Sequence, residues 1–207
     1  MSPKVRETIT PSTATRTLDR ITGRSVNFIS APISGLQIIE PRAFEDARGF
    51  FAEVYRSDVF AKHGITAPFV QDNHSASSRG TLRGLHCQIA PQGQAKLVRV
   101  VSGEIFDVAV DVRPGSATYG RWHAEVLSAA NRKMFFIPEG FLHGFLVLSD
   151  RADVLYKTTD YYAPQLERGV AWNDPQIGVV WPDPGCPLIV SDRDRRNPAL
   201  KDAGPLL

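Results

Sequence analysis

Lys96-Leu97-Val98-Arg99-Val100-Val101-Ser102-Gly103-Glu104-Ile105-Phe106-Asp107-Val108-Ala109-Val110-Asp111-Val112 reads as two strands, Lys96 to Val101 and Glu104 to Val112, joined by a Ser102-Gly103 turn. Similar short runs flank it on both sides: Gly35 to Ile39, Phe50 to Tyr55, Trp122 to Leu127, Lys133 to Ile137, Gly144 to Leu148 and Ala152 to Thr159. Strands at this spacing, punctuated by Gly and Pro, place the chain in the all-β class as a sandwich or barrel. One short helix is expected over Ser57 to Gly64, with Ser57 capping its start and Gly64 taking the left-handed position at its end. From about Asp160 the pattern becomes irregular and rich in Pro and Asp, which predicts long C-terminal loops packed across the β core. Residues 1–32 carry no sustained period, so they are expected to form a poorly ordered extension to a single domain spanning 33–207.

Composition narrows the function classes. The 207 residues are 43% hydrophobic and 22% charged, ordinary values for a globular domain. A net charge of +2 with no basic run does not point to nucleic acid. No run approaches the roughly 18 apolar residues of a membrane span, and the first residues lack the apolar core of a secretory signal. Cys87 and Cys186 stand about a hundred residues apart without CxxC spacing, which argues against a zinc site or redox pair and for a reduced, cytoplasmic setting.

Polar groups interrupt the strand-like sequence in Arg83-Gly84-Leu85-His86-Cys87-Gln88, at Lys96, in Pro138-Glu139-Gly140-Phe141-Leu142-His143, and at Tyr156. Burying such groups is costly unless something is gained, so they suggest one cavity lined from several strands. Period 2 sets Gly84, His86 and Gln88 on one strand face, and Lys96 with Val98 and Val100 on another. His86 is either a hydrogen-bonded core histidine or a general base. Lys96 is either a solvated strand end or a fixed cation able to stabilise an enolate oxygen. Tyr156, on a face with Val154 and Thr158, is a packing residue or a proton donor. His143 can donate a hydrogen bond to a phosphate or a sugar, and Arg48 and Arg83, each beside a glycine, can approach phosphate oxygens. The metal-binding cupin pattern carries a second histidine two residues after the first and a glutamate a few residues on. Here position 88 is Gln, and Ile89-Ala90-Pro91-Gln92 offer no carboxylate, so no metal ligand set is indicated.

In order along the chain, Asp46-Ala47-Arg48-Gly49-Phe50-Phe51-Ala52-Glu53, Gln71-Asp72-Asn73-His74-Ser75, Leu82-Arg83-Gly84-Leu85-His86, Gln94-Ala95-Lys96-Leu97-Val98-Arg99-Val100, Ile137-Pro138-Glu139-Gly140-Phe141, Tyr156-Lys157-Thr158-Thr159 and Trp172-Asn173-Asp174-Pro175 resemble the dTDP-4-dehydrorhamnose 3,5-epimerases over nearly all of 35–196. The resemblance implies a cupin jelly roll that needs no metal or other cofactor. It also implies a homodimer formed by strand exchange near the N-terminus, and a dTDP-4-keto-6-deoxyhexose substrate inverted at C3 and C5.

By the same resemblance His86 matches the base, Asp194 its orienting carboxylate, Lys96 the enolate-stabilising cation and Tyr156 the acid on the opposite face. Arg48, Glu53, Gln71, Asn73, Arg83, His143, Glu167 and Arg193 match nucleotide-sugar contacts, and Tyr162 lies near an aromatic position that can stack on thymine. Arg193 replaces the family's usual lysine, Cys87 its usual tyrosine beside the base, and Met134-Phe135-Phe136 is bulkier and more apolar than usual. Three rival readings remain. One is a relative inverting only C3 or only C5, another a metal-dependent cupin oxygenase, and the third an inactive nucleotide-sugar binder.

Overall fold

The computed structural model describes residues 26–207. Two antiparallel sheets face each other. The first contains β1 (Val26–Ser30), β2 (Gln37–Pro41), β10 (Met134–Ile137), β7 (Lys96–Ser102), β12 (Arg151–Thr158) and β5 (Gln71–Ser78), in that spatial order. The second runs β13 (Glu167–Gly169), β6 (Thr81–Gln88), β11 (Phe141–Val147), β8 (Glu104–Asp111) and β9 (Trp122–Ser128), with β14 (Ile189–Val190) parallel to β6. Each β7-to-β8 and β5-to-β6 connection leaves one sheet and enters the other, as a jelly roll requires.

Period 2 sorts the side chains. Val98 and Val100 of β7, Ala152 and Val154 of β12, Ile105 and Ala109 of β8, and Phe141 and Phe145 of β11 meet between the sheets. Each fully buried Val, Ile or Phe among them contributes about 1.5–3 kcal/mol of transfer free energy. The opposite phase of the second sheet, Leu85, Val108, Val110 and Leu142, is covered by the C-terminal loops through Val170, Ile177, Leu200 and Leu206. The long loops therefore pack where the sequence predicts. Asp174 ties them down, its carboxylate accepting from the backbone N–H groups of Gln176, Ile177 and Leu200 at 2.8–2.9 Å.

Several expectations shift. The strand Val26–Ser30 falls inside the stretch expected to be irregular. It pairs residue for residue with β2 and buries Phe28 against Phe60, so tertiary pairing supplies what its sequence does not announce. The remainder of that predicted extension, 1–25, lies outside the described residues. The run Phe50 to Tyr55 is strand only as far as Ala52: β4 (Gly49–Ala52) forms a separate hairpin with β3 (Ala43–Asp46). The helix α1 spans Ser57–Lys62, but Arg56 occupies the cap position and Ser57 makes no capping bond. Gly64, at φ +84°, closes its end as expected, with Ile65 N–H reaching Phe60 O.

Candidate active site

At one end of the sandwich the inner faces turn from apolar to polar. On β7 the series Val100, Val98 ends at Lys96, and on β12 the series Ala152, Val154 ends at Tyr156. The inner face of β5 carries Asn73, Ser75 and Ser77, and that of β11 carries His143 between Phe141 and Phe145. These groups line a cleft with two lobes of about 590 and 350 Å³, and His86, Lys96 and Tyr156 border both.

Strict alternation along β6 would send Arg83 and His86 to opposite faces. The pairing of β6 with β11 slips between His143 and Phe145. Gly84, at φ +127°, takes up the irregularity. Arg83 and His86 consequently point into the same cleft. The Arg83 guanidinium is held by Ser77 Oγ at 3.1 and 3.2 Å.

His86 Nε2–H donates to Asp194 Oδ1 at 2.6 Å. A carboxylate only accepts, so the neutral imidazole keeps its lone pair on Nδ1. That nitrogen has no partner among the described residues and is not enclosed, which leaves it open to the cleft. Asp194 lies in α2 (Asp192–Arg195), where its N–H donates to Ser191 Oγ and fixes the turn. Burial opposes the charge on Asp194, but the bonds from His86 and the Gly84 and Ser191 region outweigh it and hold the carboxyl below its usual range.

Lys96 is half-buried and its ammonium has no hydrogen bond or ion pair among the described residues. Burial pulls its pKa down, while the fields of Cys87, Glu167 and Asp107 push it back up. The Tyr156 hydroxyl is likewise without a partner; burial raises its pKa against the opposing field of Arg83, so the phenol carries its proton. At the rim, Tyr162 O–H donates to Glu167 Oε2 at 2.6 Å and Arg193 pairs with the same oxygen at 2.7 Å. In the smaller lobe Gln71 Nε2 donates to Asn73 Oδ1 at 3.0 Å, leaving Asn73 Nδ2 buried and unpartnered.

The cleft thus gathers His86, Lys96, Tyr156, Asp194, Gln71, Asn73, Arg83, His143, Tyr162, Glu167 and Arg193. Arg48 and Glu53 do not line it. Arg48 sits at the tip of the β3–β4 hairpin, 90% exposed and paired with Asp46 at 2.6 Å, and Glu53 lies 3.6 Å from Arg56. Gln88 is committed to the backbone, donating to Gln92 O and Tyr161 O and accepting from Ala163 N–H. Cys87 borders the smaller lobe, but its thiol packs into the core beneath the loops, 3.7 Å from Leu206 O, and burial raises it to about 11.

Ser75 and Ser77, which line the cleft, and Asp107, buried behind it, escaped the sequence reading. Asp107 is fully buried and accepts from His143 Nε2–H at 2.8 Å. The available signal was phase: Asp107 shares the inner face of β8 with Ile105 and Ala109, and a carboxylate there needs a partner. The serines carry no comparable signal.

Fold and cleft define a cupin-type jelly roll whose interior presents a carboxylate-held imidazole, a cation and a phenol. Among the described residues, no group of three or more His, Cys, Asp or Glu is placed to hold a metal ion. The chain belongs to the dTDP-4-dehydrorhamnose 3,5-epimerase family, whose model matches residues 30–202. It is similar to the dTDP-4-dehydrorhamnose 3,5-epimerase of Pseudomonas aeruginosa, with 54% identity over 167 residues covering 80% of this chain and 91% of that one. The Escherichia coli enzyme of the same name is 49% identical, covering 83% and 92%. Among solved structures, the dTDP-6-deoxy-D-glucose-3,5-epimerase of Legionella pneumophila, crystallised with dTDP-4-keto-L-rhamnose, superposes with a TM-score of 0.83 at 47% identity, covering 86% and 94%. The 3'-monoepimerase ChmJ of Streptomyces bikiniensis gives 0.79 at 39%, covering 84% and 87%.

Proposed function

We propose that the chain inverts C3 and C5 of dTDP-4-keto-6-deoxy-D-glucose, giving dTDP-4-keto-L-rhamnose. The observation that carries this reading is the 2.6 Å contact of His86 Nε2 with Asp194, which leaves Nδ1 open beside Lys96 and Tyr156. The 4-keto group acidifies the hydrogens on C3 and C5. His86 Nδ1 removes one, the electron pair moves onto the C4 oxygen, and the Lys96 ammonium stabilises that enolate. Tyr156 then delivers a proton to the opposite face of the carbon, and exchange with solvent takes the proton from His86 and restores the phenol before the second carbon is inverted. A positioned acid or base contributes typically 10²–10⁴-fold in rate, and an oxyanion-type donor roughly 10²–10³. Asp194 orients the ring and stabilises the imidazolium that forms. Arg83, held by Ser77, supplies charge for the diphosphate. Gln71, Asn73, Tyr162, Glu167 and Arg193 serve the nucleotide.

A homodimer completes the proposal. The β3–β4 hairpin exposes Phe44, Phe50 and Phe51 and carries Arg48 at its tip, and a second copy's hairpin is the proposed source of the Arg48 and Glu53 contacts that one chain does not bring to its own cleft. A cytoplasmic setting belongs to the same reading. No helix among the described residues is long and apolar enough to cross a membrane.

Proton NMR of the 4-keto sugar in D₂O tests the activity, because exchange at C3 and at C5 is read separately. Exchange and inversion at both carbons are expected. Exchange at one carbon alone identifies a single-site epimerase, and exchange at neither refutes the reading.

A further inference from the structure

His143 and Asp107 form a second imidazole–carboxylate pair, one strand away from the first. His143 lies directly across from His86 in the β6–β11 register and across from Ala109 on β8. Its Nε2 is 2.8 Å from Asp107 Oδ1, and Asp107 has no exposed surface. The carboxylate accepts only, so the shared hydrogen belongs to Nε2. His143 Nδ1 has no partner among the described residues and is not enclosed, so it opens on the larger lobe. Each carboxylate thus engages the far nitrogen of its histidine through Oδ1, while Asp194 Oδ2 accepts from Gly84 N–H and Asp107 Oδ2 is buried without a partner among the described residues. Two lone pairs, not two N–H groups, face the substrate.

We infer that Asp107 is a positioning residue that fixes the tautomer of His143, so that His143 meets the substrate as a hydrogen-bond acceptor and reads a hydroxyl of the sugar ring. This rests on the proposed sugar-nucleotide substrate for the identity of the ligand, although the tautomer itself does not. The inference differs from the expectation that His143 donates a hydrogen bond to a phosphate or a sugar: here it accepts one. An unpaired anion oxygen facing the Nδ1 lone pair would be repelled, whereas a sugar hydroxyl has a hydrogen to give. The charged surroundings agree. Burial, with Lys96 and His86 nearby, disfavours a proton on Nδ1 and outweighs the pull of Asp107, so His143 stays neutral.

A site built to hydrogen-bond a hydroxyl rejects the analogue lacking it more strongly than a hydrophobic pocket rejects an extra methylene, because the buried partner is left unpaired. One hydroxyl in the ring should therefore matter more than the others.

The test uses the whole protein and no turnover. Nitrogen-15 NMR of histidine-labelled protein at neutral pH should show His143 with Nε2 protonated and Nδ1 bare. Asp107→Asn can donate as well as accept, so it should release a population with Nδ1 protonated, as exchanging carboxylate for amide does elsewhere. In parallel, binding is measured for dTDP-glucose and its 2-deoxy and 3-deoxy counterparts. In the wild type one of the deoxy ligands should bind about 10-fold to 100-fold more weakly, the worth of a lost hydrogen bond in a buried site, and Asp107→Asn should shrink that gap. A wild-type spectrum with Nδ1 protonated overturns the inference even if the variant fails to fold. Equal binding of all three ligands to the wild type also overturns it. Absence of epimerase activity with the expected tautomer and the expected gap would instead refute the proposed reaction.

Discussion

Gly84 and Gly144 lie back to back across the β6–β11 pair: a Cβ built on Gly84 would stand 2.6 Å from Gly144 Cα and 2.9 Å from His143 O. This approach is what allows β6 to bulge against β11 and turn Arg83 and His86 into one cleft. The geometry of the cleft therefore depends on two side chains that are missing.

Gly84→Ala should be strongly destabilising, since it combines a left-handed φ with a backbone clash. Strain and overpacking together come to about 2–5 kcal/mol, or a fall of roughly 5–15 °C in Tm for a domain of this size. Calorimetry checks it. A Tm within two degrees of wild type would mean that the strands can part without loss.

In the proposed mechanism Lys96 should set the alkaline side of the pH profile. Its pKa is lowered by burial, so it loses its proton below the usual lysine value near 10.4. The active form in this mechanism is the cation, and kcat/KM should fall as pH rises through that lowered value. Tyr156 is shifted the other way, upward, by burial, and a substitution at Lys96 distinguishes the two groups. Lys96→Arg should carry the limb to higher pH while lowering the plateau, because a guanidinium keeps its charge but not the geometry. An unchanged limb in that variant would assign it to another group.

The sandwich itself was legible in the chain because Lys96 to Val112 and its neighbours alternate about short turns. The strand β5 was not. Gln71-Asp72-Asn73-His74-Ser75-Ala76-Ser77-Ser78 has no apolar face, since its inward side lines the cleft; a strand serving a polar cavity loses the signal by which strands are found. Likewise Arg83 and His86, three apart, cannot share a face by period 2, and only the bulge reconciles them. Asp194 is 108 positions from His86, so residue spacing says nothing of the pair, and the family resemblance alone indicated it. Asp107 was hidden by its neighbours: among the three acids of Glu104–Asp111 it reads as one more exposed strand position until the phase is counted.

The hairpin predicts assembly. Phe50 and Phe51 are about three-fifths exposed, an apolar surface of the kind that marks an interface. Phe51→Asp should convert the proposed dimer to a monomer in sedimentation measurements and weaken dTDP binding, because Arg48 and Glu53 would no longer reach a second cleft. Arg48→Ala should weaken dTDP binding and leave the dimer intact. A wild-type protein that sediments as a monomer and still epimerises would remove the hairpin from the mechanism.

Tyr156 and His86 can be separated by experiment. Tyr156 extends into the cleft from β12 in the first sheet and His86 from β6 in the second, with Lys96 bordering the same two lobes. In the proposed mechanism proton removal needs only His86 and the charge of Lys96. Tyr156→Phe should therefore continue to exchange substrate protons in D₂O at a measurable rate. Delivery from the opposite face is lost with the phenol, so the exchanged sugar should largely keep its starting configuration, most clearly at C5; C3 is the less decisive carbon, because delivery by solvent there would also complete the inversion. Deuterium incorporation and ring coupling constants, measured in one sample, distinguish the two events. Equal loss of exchange and inversion would show that Tyr156 shapes the cleft and is not the acid, and the proton would then have to come from solvent or from another group in the cleft.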